Sequence, residues 1–192
     1  MRDFAQDLAS HGGAVIKIEL ANGTITNLTK GHRNPQGMAI HPETGAIWVN
    51  EHGPRGGDEI NILTAGANYG WPLVSHGREY SGGPVGEGLK SKPGYTDPVW
   101  VWVPSIAPSG MAFYQGDMFP ELKGNLLVTS LKFRSLYHVE LEEAANGVSL
   151  PMRETPYLKQ FIGRLRDVEL HPDGSLLILS DEAQGGVYWL RR

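Results

Sequence analysis

The sequence predicts an all-β fold of β-propeller type, with about three blades' worth of strands, and three observations carry that reading. Glycine (25) and proline (13) punctuate the 192 residues densely. The runs between them are short and rich in Val, Ile, Leu, Trp and Tyr, as strands joined by tight turns require. One strand-turn-strand theme also recurs. It reads Gly37-Met38-Ala39-Ile40-His41-Pro42 with Gly45-Ala46-Ile47-Trp48-Val49, then Gly110-Met111-Ala112-Phe113-Tyr114 with Gly124-Asn125-Leu126-Leu127-Val128, then Asp167-Val168-Glu169-Leu170-His171-Pro172 with Gly174-Ser175-Leu176-Leu177-Ile178-Leu179. Recurrence at roughly 55–75 residues is what four-stranded blades leave in a chain. A β-sandwich is the competing architecture.

Strands are expected over 14–20, 24–28, 37–41, 46–50, 59–63, 99–103, 110–114, 125–130, 136–140, 167–171, 175–180 and 186–190. Helix is expected only over 4–10 and 141–146. Residues 82–98 carry Gly, Pro, Lys and Ser without apolar periodicity and are expected as a long surface loop, either a functional wall or a disordered insertion. The whole, 1–192, is expected as one partial propeller domain.

With 40% hydrophobic and 20% charged residues the chain is globular in composition. A net charge of −4 offers no basic footprint for nucleic acid. Cysteine is absent, which excludes thiol chemistry, disulfides and zinc–thiolate centres and leaves only oxygen and nitrogen ligands. No apolar run approaches the roughly 20 residues that span a bilayer, and residues 1–7 lack the pattern of a secretion signal. The chain as written is expected in the cytosol, with neither nucleic acid nor membrane as partner.

The stretch Glu51-His52-Gly53-Pro54-Arg55-Gly56-Gly57-Asp58-Glu59-Ile60-Asn61 concentrates the chemistry. Gly53 and Pro54 bend the chain so that successive carbonyls can point one way, and Asp58 and Glu59 bring hard anionic oxygens. Such oxygens suit Ca²⁺, which takes roughly 6–8 of them. An ordinary solvated turn has the same composition. Arg164 and Arg166, at i and i+2, fall on one face of a strand, where their planar forks fit carboxylates; a solvated pair is the alternative. Lys132 sits between Leu131 and Phe133 at an expected strand end. Of the histidines, His32, His52 and His76 flank these motifs, each either a hydrogen-bonded loop residue or an acid–base group. His52 adjoins Gly53-Pro54 and is the best candidate base. His41, His138 and His171 read as strand-end or surface residues.

Gly31-His32-Arg33-Asn34-Pro35-Gln36-Gly37, His52-Gly53-Pro54 through Asn61, and Asn68-Tyr69-Gly70-Trp71-Pro72 closely resemble the soluble PQQ-dependent aldose sugar and glucose dehydrogenases. Ala107-Pro108-Ser109-Gly110-Met111, Ser130-Leu131-Lys132 and Arg164-Leu165-Arg166-Asp167 follow in the family's order. The resemblance implies a six-bladed propeller that holds pyrroloquinoline quinone with Ca²⁺ and oxidises a sugar at C1 to a lactone, in a form that is periplasmic at full length. By resemblance, Asn34 and Gln36 meet the quinone edge, and Tyr80 and Ser105 line the cofactor. Lys132, Arg164 and Arg166 hold its oxygens, Arg166 also serving catalysis. The carbonyls of Gly53 and Pro54 ligate the cofactor Ca²⁺. Glu59 and the Tyr69 carbonyl ligate a second, structural Ca²⁺, with Asp58 beside both.

Nothing before Gly31 resembles the segment carrying the family's catalytic histidine, and about three blades leave open flanks. Either the chain is part of a longer reading frame, or two copies associate as a homodimer through those edges, which is the expectation. Two other functions are open: a Ca²⁺-dependent hydrolase opening sugar or acyl-homoserine lactones without PQQ, and a non-catalytic binding module.

Overall fold

A computed structural model describes residues 2–145 and 147–192. Strands β1 (Val15–Ile18) and β2 (Ile25–Thr29) form a two-stranded sheet. β3 (Pro35–Ile40), β4 (Ile47–Glu51), β5 (Asp58–Ile62) and β6 (Trp100–Trp102) form a four-stranded sheet in that order. β7 (Pro108–Phe113), β8 (Leu126–Ser130), β9 (Ser135–Glu143) and β10 (Ser149–Tyr157) form a second one, and β11 (Leu165–Leu170), β12 (Leu176–Ser180) and β13 (Val187–Leu190) a sheet of three. Sequence neighbours are sheet neighbours throughout, the meander that short antiparallel connections enforce.

The recurring theme has a structural counterpart in its turns. His41, Tyr114 and His171 each donate their N–H to the residue that enters the next strand, the carbonyls of Ala46, Asn125 and Ser175 at 2.8–2.9 Å. Each also accepts, on its own carbonyl, the N–H of the turn glycine, Gly45, Gly124 or Gly174, at 2.9 Å. Those glycines have φ of 70°, 80° and 86°, a left-handed conformation that costs a side-chain-bearing residue free energy. The repeat is therefore one hairpin closure used three times.

Three expectations change. The N-terminal helix is only a short 3-10 turn, Arg2–Gln6. No helix forms over 141–145, where β9 continues to Glu143 and a turn follows; Asn146 lies outside the described residues. The partner of that turn, β10, was hidden by Pro151 and Pro156, which an edge strand tolerates because one side of it needs no ladder donors. Lys132 lies just past the end of β8, in the tight turn that leads to β9, with its ammonium 5.0 Å from the Phe133 ring. Residues 63–99 contain no strand, and within 82–98 only Val85 is buried.

The chain divides into two compact units, one running to Pro35 and then over Glu51–Ser105, the other comprising Gln36–Asn50 and Ile106–Arg192. In the second unit Tyr114, Phe119, Leu122, Leu127, Leu136, Leu165, Val168, Leu176 and Ile178 make one apolar cluster. Leu176 and Ile178 face it by strand alternation, and burying each such side chain contributes about 1.5–3 kcal/mol. His41, just past the end of β3, belongs to this unit's interior: it is buried, 4.9 Å from Phe113 and 6.2 Å from Trp48 by ring centroid, the strand-end rather than the surface residue of the two readings. The first unit has a smaller cluster, Ala5, Trp71 and Val85.

Candidate functional site

In the first unit the polar network begins with Glu51, the last residue of β4. Its Oε1 accepts from Asn61 Nδ2 at 3.0 Å and lies 2.8 Å from His32 Nδ1; its Oε2 accepts the Arg33 N–H at 2.7 Å. His32 is buried, with Nε2 2.9 Å from Thr29 Oγ1 and its ring stacked on Tyr69 at 4.7 Å. Both ring nitrogens are engaged, so His32 is the hydrogen-bonded structural residue of the two readings.

Seven residues beyond Glu51, Asp58 holds the Gly53-Pro54 bend. Its Oδ1 accepts the Gly53 N–H and the Ser105 hydroxyl, both at 2.9 Å, while Ser105 Oγ accepts the Gly56 N–H at 3.0 Å. The glycines are sterically required. A Cβ on Gly53 would sit 2.3 Å from the Gly56 and Gly57 carbonyl oxygens, and one on Gly57, at φ +75°, would sit 2.4 Å from Gly77 N. Asp58 and Ser105 thus shape the loop whose carbonyls the motif nominates as ligands.

Glu59 differs from both acids. Burial pushes its carboxyl well above the usual carboxylate range, the charge of Glu51 adds to the effect, and a hydrogen bond to Asn61 offsets part of it. Asn61 Oδ1, close by, is buried with no hydrogen-bond partner. Glu51, His52, Gly53, Gly57, Glu59 and Tyr69 all line one small cavity of about 20 Å³, room for a single water or ion. Among the described residues no three Asp, Glu, His or Cys side chains are grouped to hold a metal. A cation here would therefore combine Glu59 with main-chain oxygens and water. Asn34 is exposed, its Nδ2 3.4 Å from His52 Nδ1. Tyr80 is 72% exposed and does not line the cavity. Burial lowers the His76 pKa, with Lys90 adding to this.

In the second unit Gln36, Ser109, Gly110, Met111, Arg166 and Asp167 are among the residues lining a cavity of about 210 Å³. Close packing forms one wall, because a Cβ on Gly110 would fall 1.7 Å from Asp167 Oδ1. Arg164 and Arg166 do share a face, and what they share is Asp181: its Oδ2 lies 3.2 Å from Arg164 Nη2 and 2.8 Å from Arg166 Nη2. Hydrogen bonds from these two arginines, Arg164 first, hold the Asp181 carboxyl below its ordinary pKa. The sequence reading missed Asp181. Its signal was positional, an acid one residue beyond Ser180, the register partner of Leu165 in the antiparallel β11–β12 pair. It also left Glu51 without a role although the residue stood in the quoted motif.

The described sheets are antiparallel and blade-like, with a hydrogen-bonded glycine bend and an acidic cavity in the first unit and an Arg166-lined cavity in the second. Residues 1–189 match the Glucose / Sorbosone dehydrogenase family model, and the chain belongs to that family. It is 44% identical over 156 residues to the aldose sugar dehydrogenase YliI of Escherichia coli K12, covering 81% of this chain and 41% of that protein. A solved glucose dehydrogenase superposes with a TM-score of 0.90 at 35% identity, over 100% of this chain and 58% of that one. The PQQ-bound aldose sugar dehydrogenase of Streptomyces coelicolor superposes with a TM-score of 0.72 at 25% identity, over 99% and 54%. The fold is thus a partial β-propeller of the PQQ glucose dehydrogenase type. The chain spans less than half of the curated relatives it matches, 41–47% of their length. Among the described residues no helix is long and apolar enough to cross a membrane.

Proposed function

We propose that this chain is the calcium- and cofactor-binding part of a PQQ-dependent aldose sugar dehydrogenase. The observation that carries the reading is Glu59: a half-buried acid with a raised pKa beside the buried Glu51, on a cavity the size of one ion, is an arrangement that a hard cation would neutralise. Residues fit both groups. Glu59 and the Tyr69 carbonyl would hold a structural Ca²⁺, and the Gly53 and Pro54 carbonyls, held by Asp58, a second one at the cofactor. Asn34 and Gln36 would meet the quinone edge, Lys132, Arg164 and Arg166 would hold the carboxylates and quinone oxygens, and Tyr80 and Ser105 would line the cofactor; of these, Gln36 and Arg166 line one cavity. When bound, the quinone accepts the hydride that leaves the sugar C1.

The chain's own task is to place charge and move a proton. Asp181 orients Arg166 through one nitrogen and leaves other guanidinium N–H groups for an anion. His52 takes the sugar hydroxyl proton only at a cost, because Asn34 Nδ2 already faces its Nδ1. Residual rather than full catalysis by this chain alone is the expected consequence. Reconstitution with PQQ and calcium, followed by dye reduction with glucose, tests the reading; no cofactor spectrum and no turnover would remove it.

A second reading, calcium-dependent lactone opening, draws on the presence of His52 and Glu59 on one cavity, a base beside a cation ligand. Lactone hydrolysis abolished by EGTA and restored by calcium would select it. Ring closure by a second copy is supported by exposed Ile16, Ile18, Leu20 and Ile25 around the β1–β2 sheet, and by Val187, Tyr188 and Trp189 on the edge strand β13. Sedimentation as a monomer would exclude the dimer.

A further inference from the structure

The β9–β10 hairpin carries a second chemical surface that the dehydrogenase reading does not use. Strand alternation puts His138 and Glu140 of β9 on one face, and the register sets them opposite Thr155 and Arg153 of β10, with Tyr157 two residues further along the same face. Together with Glu121 and Asn125 these side chains line an open cleft of about 390 Å³, within the roughly 300–1,000 Å³ of small-molecule sites.

Three features of the cleft specify its occupant. First, its charges are already paired. Arg153 grips Glu140 through three bonds of 2.6–2.9 Å, and Arg192 reaches both Glu121 oxygens at 3.0–3.1 Å. An ionic ligand would have to break a pair, whereas hydroxyl groups can donate to the carboxylates and accept from the guanidinium at once. Second, Tyr157 is 43% exposed and stacks at 6.2 Å on His138, an aromatic plate at the cleft wall. Third, His138 lines the cleft at 5% exposure, and its Nε2 is buried without a hydrogen-bond partner, an unmet polar demand in the cleft wall. Burial lowers the His138 pKa, which favours an uncharged ring facing an uncharged ligand.

The geometry points to a binding site for a neutral saccharide on this hairpin, separate from the residues assigned to oxidation. It would tether the protein to a carbohydrate or hold a distal unit of a longer one. The occupant is a hydroxyl-rich ring lying against Tyr157, with Arg153 and Glu140 reading its hydroxyls. The site stands whether or not the chain oxidises sugars.

The test is amide NMR of the full chain titrated with methyl glucoside, which lacks a free anomeric hydroxyl. Saturable shifts are expected at Leu141, Arg153, Thr155 and Tyr157, with a dissociation constant on the order of 1 mM. Tyr157→Ala should weaken binding about tenfold, Tyr157→Phe should retain it, and Arg153→Lys should lower it by loss of the fork. Should Tyr157→Ala lose its dispersed spectrum, the Phe and Lys variants decide. The proposal is overturned by saturable shifts elsewhere only, by no shifts at all, or by glucuronate or glucosamine binding as tightly as the neutral sugar.

Discussion

The acidic cavity around Glu51 and Glu59 and the cleft on the β9–β10 hairpin are both rich in charge, yet they solve opposite problems. In the cavity Glu51 is buried, Glu59 half-buried and both are of one sign, so Glu59 holds its proton more tightly than a free carboxyl does. At the cleft each acid meets an arginine near solvent, and the charges cancel. The difference teaches that burial, rather than the number of carboxylates, decides whether a site asks for a cation.

Removing the acid that carries the cavity's hydrogen bonds is the severest way to break this comparison. Glu51→Ala strands His32, Asn61 and the Arg33 amide together and should cost about 3–5 kcal/mol of unfolding free energy by urea titration. Next comes Gly57→Ala, which forces a Cβ toward Gly77 N at a left-handed position and should cost about 2–3 kcal/mol in the same assay.

Glu59 sharpens the contrast through pH. Its native pKa lies above the ordinary 4.5, so the native state binds the proton more tightly than the unfolded chain does. Its stabilising contribution is fully present below 4.5 and is lost as pH rises through the native value, in metal-free protein. Glu59→Gln should flatten that limb of a melting-temperature-against-pH curve. Calcium is expected to raise the melting temperature of the parent protein at neutral pH, and Glu59→Gln should abolish that rise; an undiminished rise in the variant would place the cation elsewhere. The smallest effect belongs to the cleft. Arg153→Ala, breaking a solvent-facing pair, should leave the melting temperature unchanged, because such pairs contribute little.

Legibility followed locality. The hairpin closures at His41, Tyr114 and His171 could be read because each is set by a few consecutive residues and a glycine whose φ only glycine adopts cheaply. The bend at Gly53-Pro54 was visible for the same reason. β10 was not, because its prolines read as breakers until an edge position makes them harmless. Asp181 escaped because nothing local ties it to Arg164 and Arg166; only antiparallel register does.

By itself, the chain's order of residues determined that it would fold as short antiparallel strands, where those strands would turn, and which motifs align it with sugar dehydrogenases. Those properties depend on backbone conformational preference and side-chain alternation, both short-ranged. Tertiary structure alone decided which acids are enclosed, which are neutralised, and which face of a hairpin collects His138, Glu140, Arg153 and Tyr157. Desolvation and charge pairing depend on what surrounds a group in space, and chain distance carries no record of that.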